Sequence, residues 1–227
     1  VKTGKAGDPI IHNEPALLAN AAKTLKLRYV VLTSVTRDDL PDFGASHFAR
    51  CVRAIKKHTG ACVEVLVPDF RAKKVCIARV LNSDPNVFAH NLETVERLQH
   101  MVRDVRASYD TSLNVLRYAK EIAPHIPTKT SLLLGLGESL DELLETMRDL
   151  RSVDTDMLVL GQYLQPSKHK LQVARYVPPK EFAYLRRKAL RLGFKCVVSA
   201  PLARTSYKAG HFYKKLIKGE RHGYPSR

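Results

Sequence analysis

Residues 128–161 read TKTSLLLGLGESLDELLETMRDLRSVDTDMLVLG, and this stretch decides the fold. The run 128–134 is short and apolar, with the length of a strand. Beyond Gly135, Leu136 and Gly137, the residues Leu143, Leu144, Met147 and Leu150 form one apolar stripe at helical spacing, with acidic residues beside it. The run 157–161 is again near-continuous and apolar, as in a parallel sheet covered on both faces. Strand, amphipathic helix and strand in succession make a βαβ unit.

The same alternation extends in both directions. Strand-like runs fall at 28–33, 62–67, 87–90 and 195–199. Helical patterns fall at 16–27, 46–58, 73–81, 94–101, 110–122, 140–151 and 180–192. Repeated βα units mean a doubly wound sheet or a barrel. The chain opens on a loop and a helix, so a preceding strand is expected to be missing and the barrel to be partial. The fold expected is α/β, a partial (β/α)6 TIM-like barrel over residues 1–200. A basic extension over residues 201–227 has no strand periodicity and is expected to wrap the barrel mouth.

Composition fits one domain: 227 residues, 44% hydrophobic and 26% charged. No apolar run approaches the roughly 18 residues that suggest a membrane span. The net charge of +16 admits nucleic-acid binding, but the Lys and Arg residues are dispersed and no RNA-binding aromatic signature accompanies them. An acidic partner protein is the favoured use of that charge. Cys51, Cys62, Cys76 and Cys196 contain no C-x-x-C pair, which disfavours zinc and dithiol chemistry. They read as structural thiols in a reducing compartment.

In a parallel barrel the chemistry sits at the carboxyl ends of the strands. Polar clusters occur there five times: Thr33, Ser34, Arg37, Asp38 and Asp39; Asp69 and Arg71; His90, Asn91 and Glu93; Gly135, Gly137 and Glu138; Gln162, Tyr163 and Gln165. Any one cluster reads equally as a turn or a helix cap, and His90 alone reads equally as a core histidine. Together they describe a mouth of carboxylates, amides and guanidinium suited to a polar, zwitterionic, ribose-bearing ligand.

Six segments in order, YVVLTSVTRDDLPD (29–42), VEVLVPDFR (63–71), HNLE (90–93), GLGE (135–138), GQYLQPS (161–167) and RTSY (204–207), resemble the lipoyl synthase family of radical S-adenosylmethionine (SAM) enzymes. The resemblance implies a radical SAM barrel, SAM and two 4Fe–4S clusters, one cleaving SAM and one donating sulfur. It implies insertion of two sulfur atoms into protein-bound octanoyl-lysine, whose unactivated C–H bonds are opened by a 5′-deoxyadenosyl radical. By resemblance, Thr33 and Ser34 contact the SAM amino group. Asn91 and Glu93 take its ribose or methionine portion, and Gln162 and Tyr163 the adenine side. Arg37, Asp38, Lys129, Gly135, Gly137 and Glu138 complete the cofactor-binding set. Arg204 and Ser206 are the catalytic candidates, with the Ser206 hydroxyl an iron ligand of the sulfur-donating cluster. Octanoylated lipoyl-carrier domains of 2-oxoacid dehydrogenases, the glycine cleavage H protein and iron–sulfur carrier proteins are the implied partners. A mitochondrial matrix or a bacterial cytoplasm is the implied setting.

The sequence also departs from that family. Both cysteine triplets that hold the clusters are absent, so the remaining ligands are expected upstream of Val1 and the 227 residues alone are expected to be inactive. Phe43 stands where the family usually has Gly; in a left-handed backbone it would cost about 1–2 kcal/mol, and its ring would intrude near SAM. Two other readings remain open: a different barrel enzyme, such as an aldolase or another radical SAM sulfur inserter, and a non-catalytic basic protein that binds RNA or a partner.

Overall fold

The computed structural model describes residues 8–219. Helix α1 (Glu14–Thr24) leads into strand β1 (Tyr29–Thr33). There follow α2 (Ala45–Thr59), β2 (Cys62–Leu66), α3 (Lys74–Leu81), β3 (Val87–Ala89), α4 (Gln99–Val102), α5 (Tyr109–Ile122) and β4 (Thr128–Leu134). The chain continues through α6 (Leu140–Ser152), β5 (Met157–Gln162), α7 (Pro179–Arg191), β6 (Cys196–Ser199) and α8 (Ala209–Ile217). The six strands pair in parallel in the order β1-β2-β3-β4-β5-β6, with no pairing of β1 to β6. The expected partial barrel is therefore present, with the sheet open.

Local chemistry sets the boundaries. Ser139 and Glu142 form a reciprocal capping box at the start of α6. Asp42 accepts from Ser46 N at 2.8 Å and Gly44 N at 3.1 Å, fixing the entry to α2. Pro179 opens α7, where its missing N–H costs nothing. The segment 94–101 does not form the single helix its periodicity suggests: a 3-10 turn, Glu96–Leu98, precedes the short α4. The buried Gln99 amide donates to Leu92 O at 3.0 Å and Thr94 O at 2.8 Å, curling the segment back on itself.

Strand alternation separates two environments. Outward side chains such as Val63, Val65, Phe88, Leu132, Leu158 and Val197 pack beneath the helices. Inward ones, among them Val87, Met157, Val159, Cys196 and Val198, form a third cluster with Ala203 and Phe212 of the C-terminal segment. That segment does more than wrap the mouth. Beyond Pro201 it turns into the barrel and forms α8, which packs against both unpaired edge strands. The Tyr29 and Tyr213 rings lie 5.7 Å apart, and Phe212 fills the lumen, so the apolar Phe212 and Ala209 face inward while the lysines stay in water.

Phe43 has φ +54°, the left-handed backbone suspected for it. Its ring does not enter the mouth: it is buried in the core beneath α2, with Arg71 5.5 Å and Lys73 4.8 Å from its centroid.

Candidate active site

Strand register brings Thr33, Leu66 and Ala89 level, so the loops after β1, β2 and β3 open onto one rim. A cavity of about 720 Å³ lies there. Its polar lining draws Thr33, Ser34 and Asp38 from the first loop, Asp69 and Arg71 from the second, and Asn91 and Glu93 from the third.

Two of these loops hold unusual backbone. Phe70, Arg71 and Ala72 have φ +49°, +50° and +51°, a left-handed turn that costs free energy at each residue. It is held by Asp69, which accepts from Arg71 N at 2.9 Å, and by the fully buried Phe70 ring. Glu93 has φ +70° and is stitched to β4: its N–H donates to Ser131 O at 3.0 Å, and its carbonyl accepts from Leu133 N at 2.8 Å. This aims its carboxylate into the cavity. Burial pushes the Glu93 carboxyl up, while the Asn91 side chain and the Arg103 charge pull it the other way.

Arg103 escaped the sequence reading, as did Arg106 and Thr111 of the same wall. Arg103 and Arg106 lie between two helical patterns and Thr111 in the first turn of the second, far from any strand end, where position carried no signal. Arg103 Nη1 donates to Ser112 Oγ at 2.6 Å, and Ser112 Oγ lies 3.1 Å from His90 Nε2. His90 Nδ1 lies 3.0 Å from Val67 O. A carbonyl only accepts, so Nδ1 carries the proton, Nε2 accepts from the Ser112 hydroxyl, and Ser112 accepts from Arg103. Burial depresses His90 to about 4, in keeping with that neutral tautomer. His90 is a buried histidine that orients an arginine facing the cavity.

The other candidates are placed elsewhere. Arg37 forms a two-pronged pair with Asp39, at 2.9 and 2.8 Å. Glu138 accepts from Gly135 N at 2.7 Å and Leu136 N at 2.8 Å, clamping the turn after β4. Gly135, at φ +92°, lets Arg175 O and the Gln162 amide approach closer than any Cβ would allow. Gly137, at φ +104°, presents its carbonyl to Arg97 at 2.8 Å. Gln162 donates to Arg175 O at 3.1 Å and accepts from Val177 N at 2.8 Å; Tyr163 OH donates to Leu171 O at 2.8 Å. The β4–β5 corner is thus a wall whose side chains hold the loop beyond β5. Lys129 is buried in the lumen, 2.8 Å from Glu64 Oε1 and 2.7 Å from Thr205 O.

Arg204 Nη1 donates to Ala203 O at 2.7 Å beside Gly161, and Ser206 is exposed just before α8. The Thr205 hydroxyl comes within 3.5 Å of Asn91 Oδ1, so this segment abuts the cavity wall. Next to it Ala200, Pro201, Leu202, Ala203, Arg204 and Tyr207 line an open, mainly apolar cavity of about 710 Å³.

The mixed lining of the mouth, four carboxylates against three guanidinium groups with amide and hydroxyl between, fits a zwitterionic nucleoside such as SAM. Among the described residues no three His, Cys, Asp or Glu side chains come together as metal ligands, so these residues alone do not complete an iron–sulfur site. Cys51, Cys76 and Cys196 are buried apart, and burial pushes each thiol up, Cys51 and Cys196 to about 11.

An open parallel barrel with this rim defines the class: the chain belongs to the Radical SAM superfamily, whose sequence profile matches residues 2–150. In shape it superposes on the FeFe-hydrogenase maturase HydG of Carboxydothermus hydrogenoformans with a TM-score of 0.65 at 16% identity, covering 98% of this chain and 56% of that one.

 It also superposes on methylornithine synthase with a TM-score of 0.57 at 17% identity, covering 96% of this chain and 74% of that one. Likeness at that identity shows the fold alone. Sequence similarity identifies the particular family. The chain is 50% identical over 222 residues to the lipoyl synthase of Methanocella arvoryzae, covering 97% of this chain and 75% of that protein. It is 49% identical over 222 residues to the mitochondrial lipoyl synthase of Trichoplax adhaerens, covering 97% of this chain and 63% of that protein. The chain belongs to the lipoyl synthase family.

Proposed function

We propose that the mouth cavity is the SAM site of a lipoyl synthase that inserts two sulfur atoms into octanoyl-lysine on a lipoyl-carrier protein. One observation carries the reading. Asn91 and Glu93 converge with Thr33 and Ser34 on a single cavity, and Glu93 is held there in left-handed backbone opposite Arg103. Asn91 and Glu93 bind the ribose or methionine portion, Thr33 and Ser34 take the amino group, and Arg103 pairs with the carboxylate. When bound, SAM with its reducing 4Fe–4S cluster supplies hydrogen-atom abstraction from unactivated carbon. The chain's own residues orient the cofactor and exclude water. A second 4Fe–4S cluster, as sulfur donor, belongs to the same proposal, with Ser206 as one ligand and the cysteine ligands outside these 227 residues. The apolar cavity beside Arg204 and Tyr207 suits the octanoyl chain, and the net charge of +16 suits an acidic carrier domain.

Calorimetric titration with SAM tests the site. Charge-assisted hydrogen bonds are worth about 1.5–3 kcal/mol, so Glu93→Gln weakens binding by about tenfold or more, and Asn91→Ala acts in the same direction. Unchanged affinity in both variants overturns the assignment. For Ser206, the iron-loaded enzyme carrying Ser206→Ala loses lipoyl product; undiminished product removes Ser206 from the mechanism.

A further inference from the structure

We propose that the buried Lys129–Glu64 pair is a latch that seats the Thr205–Ser206 segment at the barrel mouth, which makes Lys129 a positioning residue. The side chains of Lys129 and Glu64 are 2% and 0% exposed, in a lumen otherwise lined by Val87, Met157, Val159, Cys196 and Val198. A buried ion pair seldom stabilises a fold more than apolar side chains of the same volume, so its use here is register rather than stability. The geometry gives that register. Lys129 Nζ donates to Glu64 Oε1 at 2.8 Å and to Thr205 O at 2.7 Å, while Glu64 Oε2 accepts from Tyr29 OH at 2.7 Å. The ammonium therefore spends one of its three donors on the backbone of the C-terminal segment.

The same network holds α8. Tyr29 stacks near Tyr213, whose hydroxyl accepts from Asn86 Nδ2 at 3.3 Å. Gly210 lies against the Tyr29 side chain, where an added Cβ would come within 2.8 Å of the Tyr29 Cβ and 2.9 Å of its ring. At the other end, Thr205 touches Asn91 on the cavity wall. One charged donor thus ties three things together: the strands β2 and β4, the path of the tail, and the approach of residues 205–206 to the mouth. The latch stands without reference to what Ser206 does; its consequence for sulfur insertion rests on the reading of Ser206 given above.

Hydrogen–deuterium exchange on the 227-residue chain tests the latch without iron or SAM. Lys129→Met alone strands Glu64, so the double variant Glu64→Gln/Lys129→Met carries the experiment. Its amides at 203–210 exchange at least tenfold faster than wild type, while those of β4 and β5 keep their protection. Lys129→Arg, which retains a charged donor, restores slow exchange at 203–210. An unchanged tail in the double variant overturns the proposal, and so does an equal loss of protection across the barrel, which would make the pair a general stabiliser. Ser206→Ala leaves the tail protected in this assay, so failure of the Ser206 reading and failure of the latch give different results.

Discussion

Three residues show how local cost is set against function or packing. Phe43 occupies left-handed backbone at a cost of about 1–2 kcal/mol, yet its ring is buried in the core, where truncating Phe costs about 3–5 kcal/mol. Burial wins: Phe43→Gly lowers stability by about 2 kcal/mol in urea unfolding and leaves SAM affinity unchanged, since the ring does not line the cavity. Glu93 is the opposite case. Its raised carboxyl means that stability is lost as pH rises through the folded-state value, so Glu93→Gln is more stable at neutral pH while binding SAM less well. His90 sets a third dependence. Its folded value of about 4 lies below the ordinary 6.5, so the unfolded chain takes up a proton that the folded chain refuses. The stability it contributes is complete above pH 6.5 and lost as pH falls toward 4, to the extent of about 3 kcal/mol. Unfolding midpoints at pH 7, 5 and 4 should fall less steeply in His90→Gln than in wild type; parallel curves would place the proton elsewhere.

Among the elements, strands and long helices were legible and the connections were not. The βαβ unit from Thr128 to Gln162 emerges within a residue of its expected bounds, because apolar period and capping chemistry agree there. The segment 94–101 shows helical periodicity but is bent by the Gln99 side chain, a tertiary contact that no local pattern encodes. The left-handed turn at Phe70–Ala72 was hidden for the same reason, since neither Phe nor Ala advertises positive φ. Helix α8 was read only as a basic tail, its lysines masking the single apolar face that enters the lumen. That face is close-packed at Gly210. Gly210→Val drives a side chain into Tyr29, which Glu64 and Tyr213 hold in place, and overpacking of this kind costs about 1–3 kcal/mol. A urea midpoint equal to wild type would show that α8 docks more loosely than its contacts indicate.

For the whole molecule, the candidate site was legible as a rim but not as a pocket. Strand ends group Thr33, Asn91 and Glu93, and all three line one cavity, because parallel register levels the strands that lead into their loops. The same logic grouped Gln162, Tyr163 and Glu138 with them, yet the side chains of that corner are engaged by the loop beyond β5. Arg103 reaches the rim only through the fold of the segment after β3. Membership of the lipoyl synthase family implies SAM as cofactor, and the mixed charge of the cavity suits a zwitterionic ligand of that kind. The central claim is that SAM lies at the β1–β3 side of the mouth. A crystal structure of the chain with S-adenosylhomocysteine, the demethylated analogue, tests it most directly. The account predicts the ligand between Ser34 and Glu93, with its carboxylate toward Arg103. Density confined to the β4–β5 corner, or to a surface away from the barrel mouth, would contradict it.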